Sequence, residues 1–343
     1  MDFSKCICDK PGFCRLYQKE MTESPPNWQW CQNATEKQRE DHKRSFDQGK
    51  RTRLSKTPSG VVVNIQDLEK ATISKLIPKV LKDHDISGIV GIPRSGMLPA
   101  STVATQLSLP LYSLSNKKLT LLRSFSDHGG YRMQHFKESK GKLLFIDDTT
   151  NTGRSAKEIR DQFPEGIISS IYSTTRGSSF LDYYGEILEN PHVLSWNFFN
   201  SYHVKHSLFD LDGILSPNVP LEICKDEGEY VNFLKNVTPL YHRIPRLFKI
   251  KAIVTSRLEK FREVTEQWLD KHGVQYERLF MLPTKHEEDK LKNHTETASE
   301  FKAAKCRELR PRFFVESEIG EAKAIKKKYS FVSVVCPNHN VYF

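Results

Sequence analysis

The sequence predicts an α/β protein built on parallel sheets, and three stretches carry that prediction. Each is a short apolar run that ends in acidic or small polar residues: ISGIVGIPRSGM at 86–97, LLFIDDTTNTGRS at 143–155 and SLFDLDGIL at 207–215. Apolar runs of that length read as buried strands of a parallel sheet. Open α/β sheets bind ligands beyond the carboxyl ends of their strands, so the residues that close these runs are candidate site residues.

At 343 residues the chain has room for two ordinary domains and something smaller. Its formal charge of +10 suits phosphorylated substrates and nucleic acid equally, so charge alone does not choose. No apolar stretch approaches membrane-spanning length, and the first residues, MDFSKCICDK, lack a signal-peptide apolar region. A cytoplasmic protein with no membrane partner is expected.

Residues 1–31 form a cysteine-rich module with the spacing C-x-C-x5-C-x16-C. In the cytosol, Cys6, Cys8, Cys14 and Cys31 are suited to bind Zn²⁺ or an iron–sulfur cluster, and the spacing does not decide between them. Free thiols in a tail are the alternative. Residues 32–58 are almost wholly polar, with a basic run from Lys50 to Lys56, and read as a linker or exposed helix.

From Gly60 the pattern becomes regular. VVVNI reads as a strand, Asp67–Lys82 as a helix with apolar Leu68, Ile73, Leu76, Ile77 and Val80, and Ile86–Ile92 as a buried strand. Pro93, Arg94, Ser95 and Gly96 close that strand ahead of a helix at Leu98–Leu107, a natural anion loop. Pro110–Leu114 supplies the next strand, and Lys117–Lys142 a long basic segment containing Gly129 and Gly130. In LLFIDDTTNTGRS, Asp147 and Asp148 close a strand. Thr149, Thr150, Asn151, Thr152 and Gly153 then form a loop whose amides, with a helix from about Ser155, suit a phosphate. Hydroxyls on the aspartates and phosphate on the amides describe a sugar-phosphate site; an ordinary βα turn with two exposed acids is the bland alternative. Further strands are read at Gly166–Thr174 and Val193–Phe199, and TTRGSSFLDYYGEILEN between them as an acceptor pocket or its rim.

LLFI, DD, TTNTG and RS together resemble the PRPP-binding motif of type I phosphoribosyltransferases. The resemblance implies a parallel-sheet domain over 59–203, with Asp147 and Asp148 on the ribose hydroxyls, Thr149–Gly153 on the 5-phosphate, and Arg94, Ser95 and Gly96 on the pyrophosphate. It also implies a mobile loop that closes over the reaction centre. Arg132, with Lys117, Lys118 and Arg123 near it in sequence, is the candidate to neutralise leaving pyrophosphate. Purine-salvage members often carry an aspartate at the place of Asn151, and an asparagine cannot act as a general base. The resemblance therefore points away from ordinary hypoxanthine or guanine salvage.

A second unit begins at Ser207. Asp210 and Asp212 close a strand at Gly213, so that one carboxylate can attack phosphorus while the other manages a proton. KIKAIVTSR is a strand ending in Thr255, SEFKAAKC a helical stretch with Lys302, and RFFVESE a strand ending in Glu316 and Glu318. In order and context these resemble the four motifs of the haloacid dehalogenase superfamily. That resemblance implies a Rossmann-like phosphatase domain over 204–343, with Asp210 as nucleophile, Asp212 as general acid and base, Thr255 on the phosphoryl oxygen and Lys302 as charge stabiliser. Mg²⁺ is implied on Asp210, the Asp212 carbonyl and Glu316; Lys305 is the alternative to Lys302, and Glu318 can assist Glu316. Only about forty residues separate Gly213 from the Thr255 strand, with Glu227–Leu240 read as helical, so the cap is expected to be small or absent.

Together the two resemblances imply a bifunctional enzyme. It would transfer 5-phosphoribosyl from PRPP to an unidentified acceptor, then remove the 5-phosphate to leave a ribosylated product. Two alternatives stand beside it: a PRPP-sensing module that regulates a nucleic-acid or nucleotide phosphatase, and phosphoribosylation of a nucleic-acid acceptor. The oligomeric state is open.

Overall fold

The computed structural model describes residues 13–14, 19–20, 60–123, 141–220 and 222–343. Strands β1 (Phe13–Cys14) and β2 (Lys19–Glu20) pair antiparallel within a unit of their own. Cys6, Cys8, Cys31, Arg132 and the 32–58 linker lie outside the described residues, and Cys14 is described in its backbone alone.

In the larger unit, β3 (Gly60–Val63) leads into α1 (Ile65–Ala71), a π-helical turn (Thr72–Leu76) and α2 (Ile77–Asp83). The one helix read from the sequence thus widens in its middle. Pro78 has no N–H to return to the preceding turn, which accounts for the wider turn. Asn64 caps α1 through a reciprocal pair with Asp67, at 2.9 and 3.1 Å.

A six-stranded sheet follows, ordered β6-β5-β4-β7-β8-β9. It is formed by β4 (Ile86–Gly91), β5 (Leu111–Ser115), β6 (Lys118–Arg123), β7 (Lys142–Thr150), β8 (Ile167–Ser173) and β9 (Tyr183–Ile187), all parallel except β6. Helices α3 (Met97–Leu107) and α4 (Arg154–Gln162) follow β4 and β7, and α5 (Thr175–Ser178) precedes β9. The segment read as one long basic stretch from Lys117 thus begins as a hairpin strand, because Leu119 packs into the core beside Phe145.

Strand β10 (His192–Leu194) stops five residues before the expected Phe199 and turns into α6 (Ser195–Phe198). The turn places Phe198 against Phe313 and Phe199 against Phe209, edge to face. Next come β11 (Ser207–Phe209), α7 (Glu227–Asn236), β12 (Ala252–Leu258), α8 (Arg262–Lys271), β13 (Leu279–Leu282), α9 (Glu287–Lys292) and α10 (His294–Leu309). The chain ends through β14 (Phe313–Val315), α11 (Ile319–Lys328), β15 (Ser333–Cys336) and β16 (Val341–Tyr342).

The second sheet has eight strands in the order β10-β3-β16-β15-β14-β11-β12-β13. It crosses the boundary read at 203–204, since β3 and β10 join strands from 207 onward through the C-terminal strand β16. Alternation along β3 and β10 explains the junction. Val62 and Val193 enter a core with Phe209 and Val315, whereas Val63 and Leu194 enter the core of Leu68 and Ile146. Over Val62–Val63 and Val193–Leu194 these two strands are buried on both faces, one face in each core, while Val61 stays exposed.

Candidate functional site

Two constellations stand at strand ends. The first lies where β4 and β7 run side by side, so the loops leaving them meet. A Cβ on Gly96 would come within 2.6 Å of the Ile92 and Ile146 carbonyl oxygens and 3.0 Å of Asp147 Cα. Only a glycine lets the Arg94–Ser95 loop lie this close to the acidic strand end. The strand itself runs on through Thr149 and Thr150, two residues further than the loop reading, because Thr150 pairs with Ser173 of β8. The turn is therefore Asn151–Gly153, with Asn151 and Thr152 exposed. Gly153 has φ +73° at the start of α4, and a Cβ there would strike the Phe180 ring.

Asp148 is buried, and its Oδ2 accepts from Trp196 Nε1 at 2.7 Å and Asn197 Nδ2 at 3.1 Å. Asn197 Oδ1 in turn accepts from Arg94 Nη2 at 2.9 Å and Ser95 Oγ at 2.7 Å. One amide thus joins the anion loop to the acidic strand. Neither Trp196 nor Asn197 is singled out by the sequence, because both stand on α6, in a stretch read only as a strand and far beyond the acidic motif. Asp147 Oδ1 accepts from the Asp148 amide at 2.9 Å. Burial, and then the neighbouring Asp148 charge, push the Asp147 carboxyl up to about 8. A protonated Asp147 beside the Asp148 carboxyl offers a donor and several acceptors, the requirement of a diol. Among the described residues, the buried Thr149 Oγ has no hydrogen-bond partner.

The second constellation gathers at the carboxyl ends of β11 and β14 and along β12. Lys302 Nζ, 1% exposed, donates to Asp210 Oδ2 at 2.8 Å, Glu316 Oε2 at 2.8 Å and Glu321 Oε2 at 2.7 Å. Lys305 instead pairs with Glu308 on the surface. Burial pushes Asp210 and Glu316 up against the pull of Lys302. For Glu321 the balance is reversed: burial is outweighed by Lys302 and His294, which hold it down at about 2. Glu321 was missed in the sequence; its signal is its place one turn into the helix after Glu316.

Asp212 is clamped by Arg257, itself 1% exposed: Nη2 reaches Oδ1 at 2.6 Å and Nε reaches Oδ2 at 3.0 Å. Ser216 Oγ adds a donor at 3.1 Å. Burial raises the Asp212 carboxyl, but Arg257 outweighs it and holds it below the usual range. Arg257 was also missed, although it lies two residues after Thr255 on β12, in a stretch where the register against β13 shifts and its side chain reaches Asp212. Thr255 is fully buried, its Oγ accepting from the Arg257 amide at 3.2 Å. Glu318 is exposed and accepts from Asn218 at 3.2 Å, so it stands apart from the Lys302 cluster.

Among the described residues, no three His, Cys, Asp or Glu side chains converge as a metal-holding group, and Asp210 and Glu316 converge on an ammonium. The donor chemistry nevertheless suits a hard cation: three buried carboxylates face one ammonium, and Mg²⁺ commonly takes only one or two carboxylates. Among the described residues, no helix is long and apolar enough to cross a membrane.

No family model matches the chain. It is 29% identical over 107 residues to the xanthine-guanine phosphoribosyltransferase of Chromohalobacter salexigens, a match covering 30% of this chain and 63% of that protein. Among solved structures it is similar to a purine phosphoribosyltransferase from Pyrococcus horikoshii, at 20% identity and a TM-score of 0.30 over 41% of this chain and 96% of that one. It is also similar to the orotate phosphoribosyltransferase of Mycobacterium tuberculosis, at 12% identity and a TM-score of 0.25 over 38% of this chain and 71% of that one.

Proposed function

We propose that the chain transfers the 5-phosphoribosyl group of PRPP to an acceptor and then removes the 5-phosphate from the product. In the first reaction the bond from C1 of ribose to pyrophosphate breaks, the electron pair leaving with pyrophosphate, and a bond from C1 to the acceptor forms as the acceptor loses its proton. Asp147 and Asp148 hold the ribose hydroxyls, Asn151–Gly153 the 5-phosphate, and Arg94 and Ser95 the pyrophosphate. Arg132, outside the described residues, remains proposed to neutralise the leaving pyrophosphate. In the second reaction Asp210 attacks phosphorus and the ribose oxygen leaves, with Lys302 and Thr255 steadying the phosphoryl oxygens. Water then cleaves the aspartyl phosphate. Asp212, ionised under the Arg257 clamp, is set to take the proton of that water. For the leaving-group half of the cycle it must first gain a proton against the pull of Arg257.

Asp210, Glu316 and the Asp212 carbonyl would hold Mg²⁺, which supplies charge neutralisation at the transferring phosphoryl group. The cysteine module stays proposed as a Zn²⁺ or iron–sulfur site, and 59–203 and 204–343 as the two functional domains, with β3 and β10 placed in the sheet of the second.

The observation that most supports coupled reactions is the shared sheet. β10 and β11 point the same way, so α6, which holds Asp148, and Asp210 leave the same edge of one sheet. Five strand spacings separate β10 from β11, roughly 24 Å. A product released beside α6 is thus held on the same chain and beside the same sheet as the second centre. The test is release of pyrophosphate and phosphate from PRPP and Mg²⁺ with a panel of bases, nucleosides and nucleic acids, using wild type beside Asp210→Asn. Pyrophosphate with one acceptor, and accumulation of its phosphorylated product in the variant, is the expected result. Phosphate release without PRPP consumption favours the sensor reading instead, in which the Asn197 link reports occupancy through β10.

A further inference from the structure

We propose that Lys290, Ser256 and His294 form an anion subsite beside the second centre, selecting substrates that carry a second anionic group besides the phosphate attacked. The inference rests on the reading of Asp210 as nucleophile and names the class of acceptor: one bearing a carboxylate or a phosphate.

Lys290 stands on α9, half-buried, with Nζ 2.9 Å from the Ser256 carbonyl oxygen. Among the described residues it has no carboxylate within ion-pair distance, whereas the neighbouring Lys302 has three. Asp212, Glu321 and Lys302 are close enough for their charges to act on it. His294 Nε2 lies 3.4 Å from Ser256 Oγ, and its Nδ1 lies 3.3 Å from Glu321 Oε1. A continuous chain of polar contacts therefore runs from Lys290 through Ser256, His294, Glu321 and Lys302 to Asp210. Exposure increases along it, from the buried Lys302 and Asp210 to His294, whose side chain is 51% exposed.

When a substrate phosphate reaches Asp210, the rest of that substrate extends toward the exposed end of this polar chain, where His294 stands with Ser256 and Lys290. An ammonium withdrawn from water with only a carbonyl acceptor costs free energy that a bound anion returns. A neutral leaving group leaves that cost in place. Selectivity here comes from the free cation, while the Lys302 cluster, already neutralised by carboxylates, serves the reacting phosphate.

Two substrate pairs isolate the second anion: orotidine against uridine 5′-monophosphate, which differ by a carboxylate, and ribose 1,5-bisphosphate against ribose 5-phosphate. The readout is the ratio of kcat/KM within each pair, which cancels general losses of activity. In wild type at least one ratio is expected near ten, expressed in KM, collapsing toward one in Lys290→Met and recovering in Lys290→Arg. Ratios near one in wild type, or an unchanged ratio in Lys290→Met, overturn the subsite. Absence of phosphate release even from p-nitrophenyl phosphate overturns the nucleophile reading and the subsite with it.

Discussion

The two centres hold their acids in opposite ways. In the first, Asp148 is bonded by neutral donors, an indole and an amide, and Asp147 keeps its proton to about pH 8. In the second, Asp210 and Asp212 each meet a buried cation, Lys302 and Arg257. Neutral donors fix orientation with little change in charge, which suits a ligand recognised by its hydroxyls. Buried ion pairs hold a strong field ready before the ligand arrives, which suits chemistry at phosphorus. The contrast predicts that the second centre depends on its cations for stability, and that the first depends on its donors for affinity.

The sharpest way to break the contrast is Lys302→Met. Three buried carboxylates would lose their shared ammonium, and a loss of about 3–5 kcal/mol in urea-unfolding stability is expected. A variant as stable as wild type would mean the cluster is neutralised by protons rather than by the lysine. Next in size is Asn197→Ala, which removes the link from Asp148 to Arg94 and Ser95. PRPP affinity measured by calorimetry should fall about tenfold, with the melting temperature nearly unchanged. A large drop in melting temperature instead would make Asn197 part of the scaffold.

The third test concerns pH. Asp147 binds a proton in the folded chain up to about 8 but in the unfolded chain only up to about 3.8. Between those values the folded state holds more protons, so wild-type stability should fall as pH rises across that window. In Asp147→Asn that slope disappears: the two proteins should melt together near the lower end, and the variant should melt higher near pH 8. Parallel melting curves across the window would show that the Asp147 proton has been misplaced.

The α/β class was legible because each strand–turn–helix unit is written in consecutive residues, and Gly96 and Gly153 mark the close approaches their loops require. Element ends were less so. Val193–Phe199 read as a strand because most of its residues are apolar, yet the burial of Phe198 and Phe199 is met by a helical turn. The candidate acids were legible at strand ends, but their partners Trp196, Asn197, Arg257 and Glu321 were not. Those side chains carry no motif of their own and meet the acids only after the sheets close.

By itself, the sequence determined the local units: an acidic strand end with its small-residue turn at 143–155, a second at 207–215, and the order of elements around them. Such units follow from neighbours in the chain, through hydrophobic runs and turn chemistry. Tertiary structure alone decided which strands pair. Nothing local sends Gly60–Val63 and His192–Leu194 into the sheet of the second centre; they go there because Val62 and Val193 face one way, Val63 and Leu194 the other, and only a place between the two cores buries both pairs. That choice sets α6, which leaves the sheet of the second centre, against Asp148 of the first.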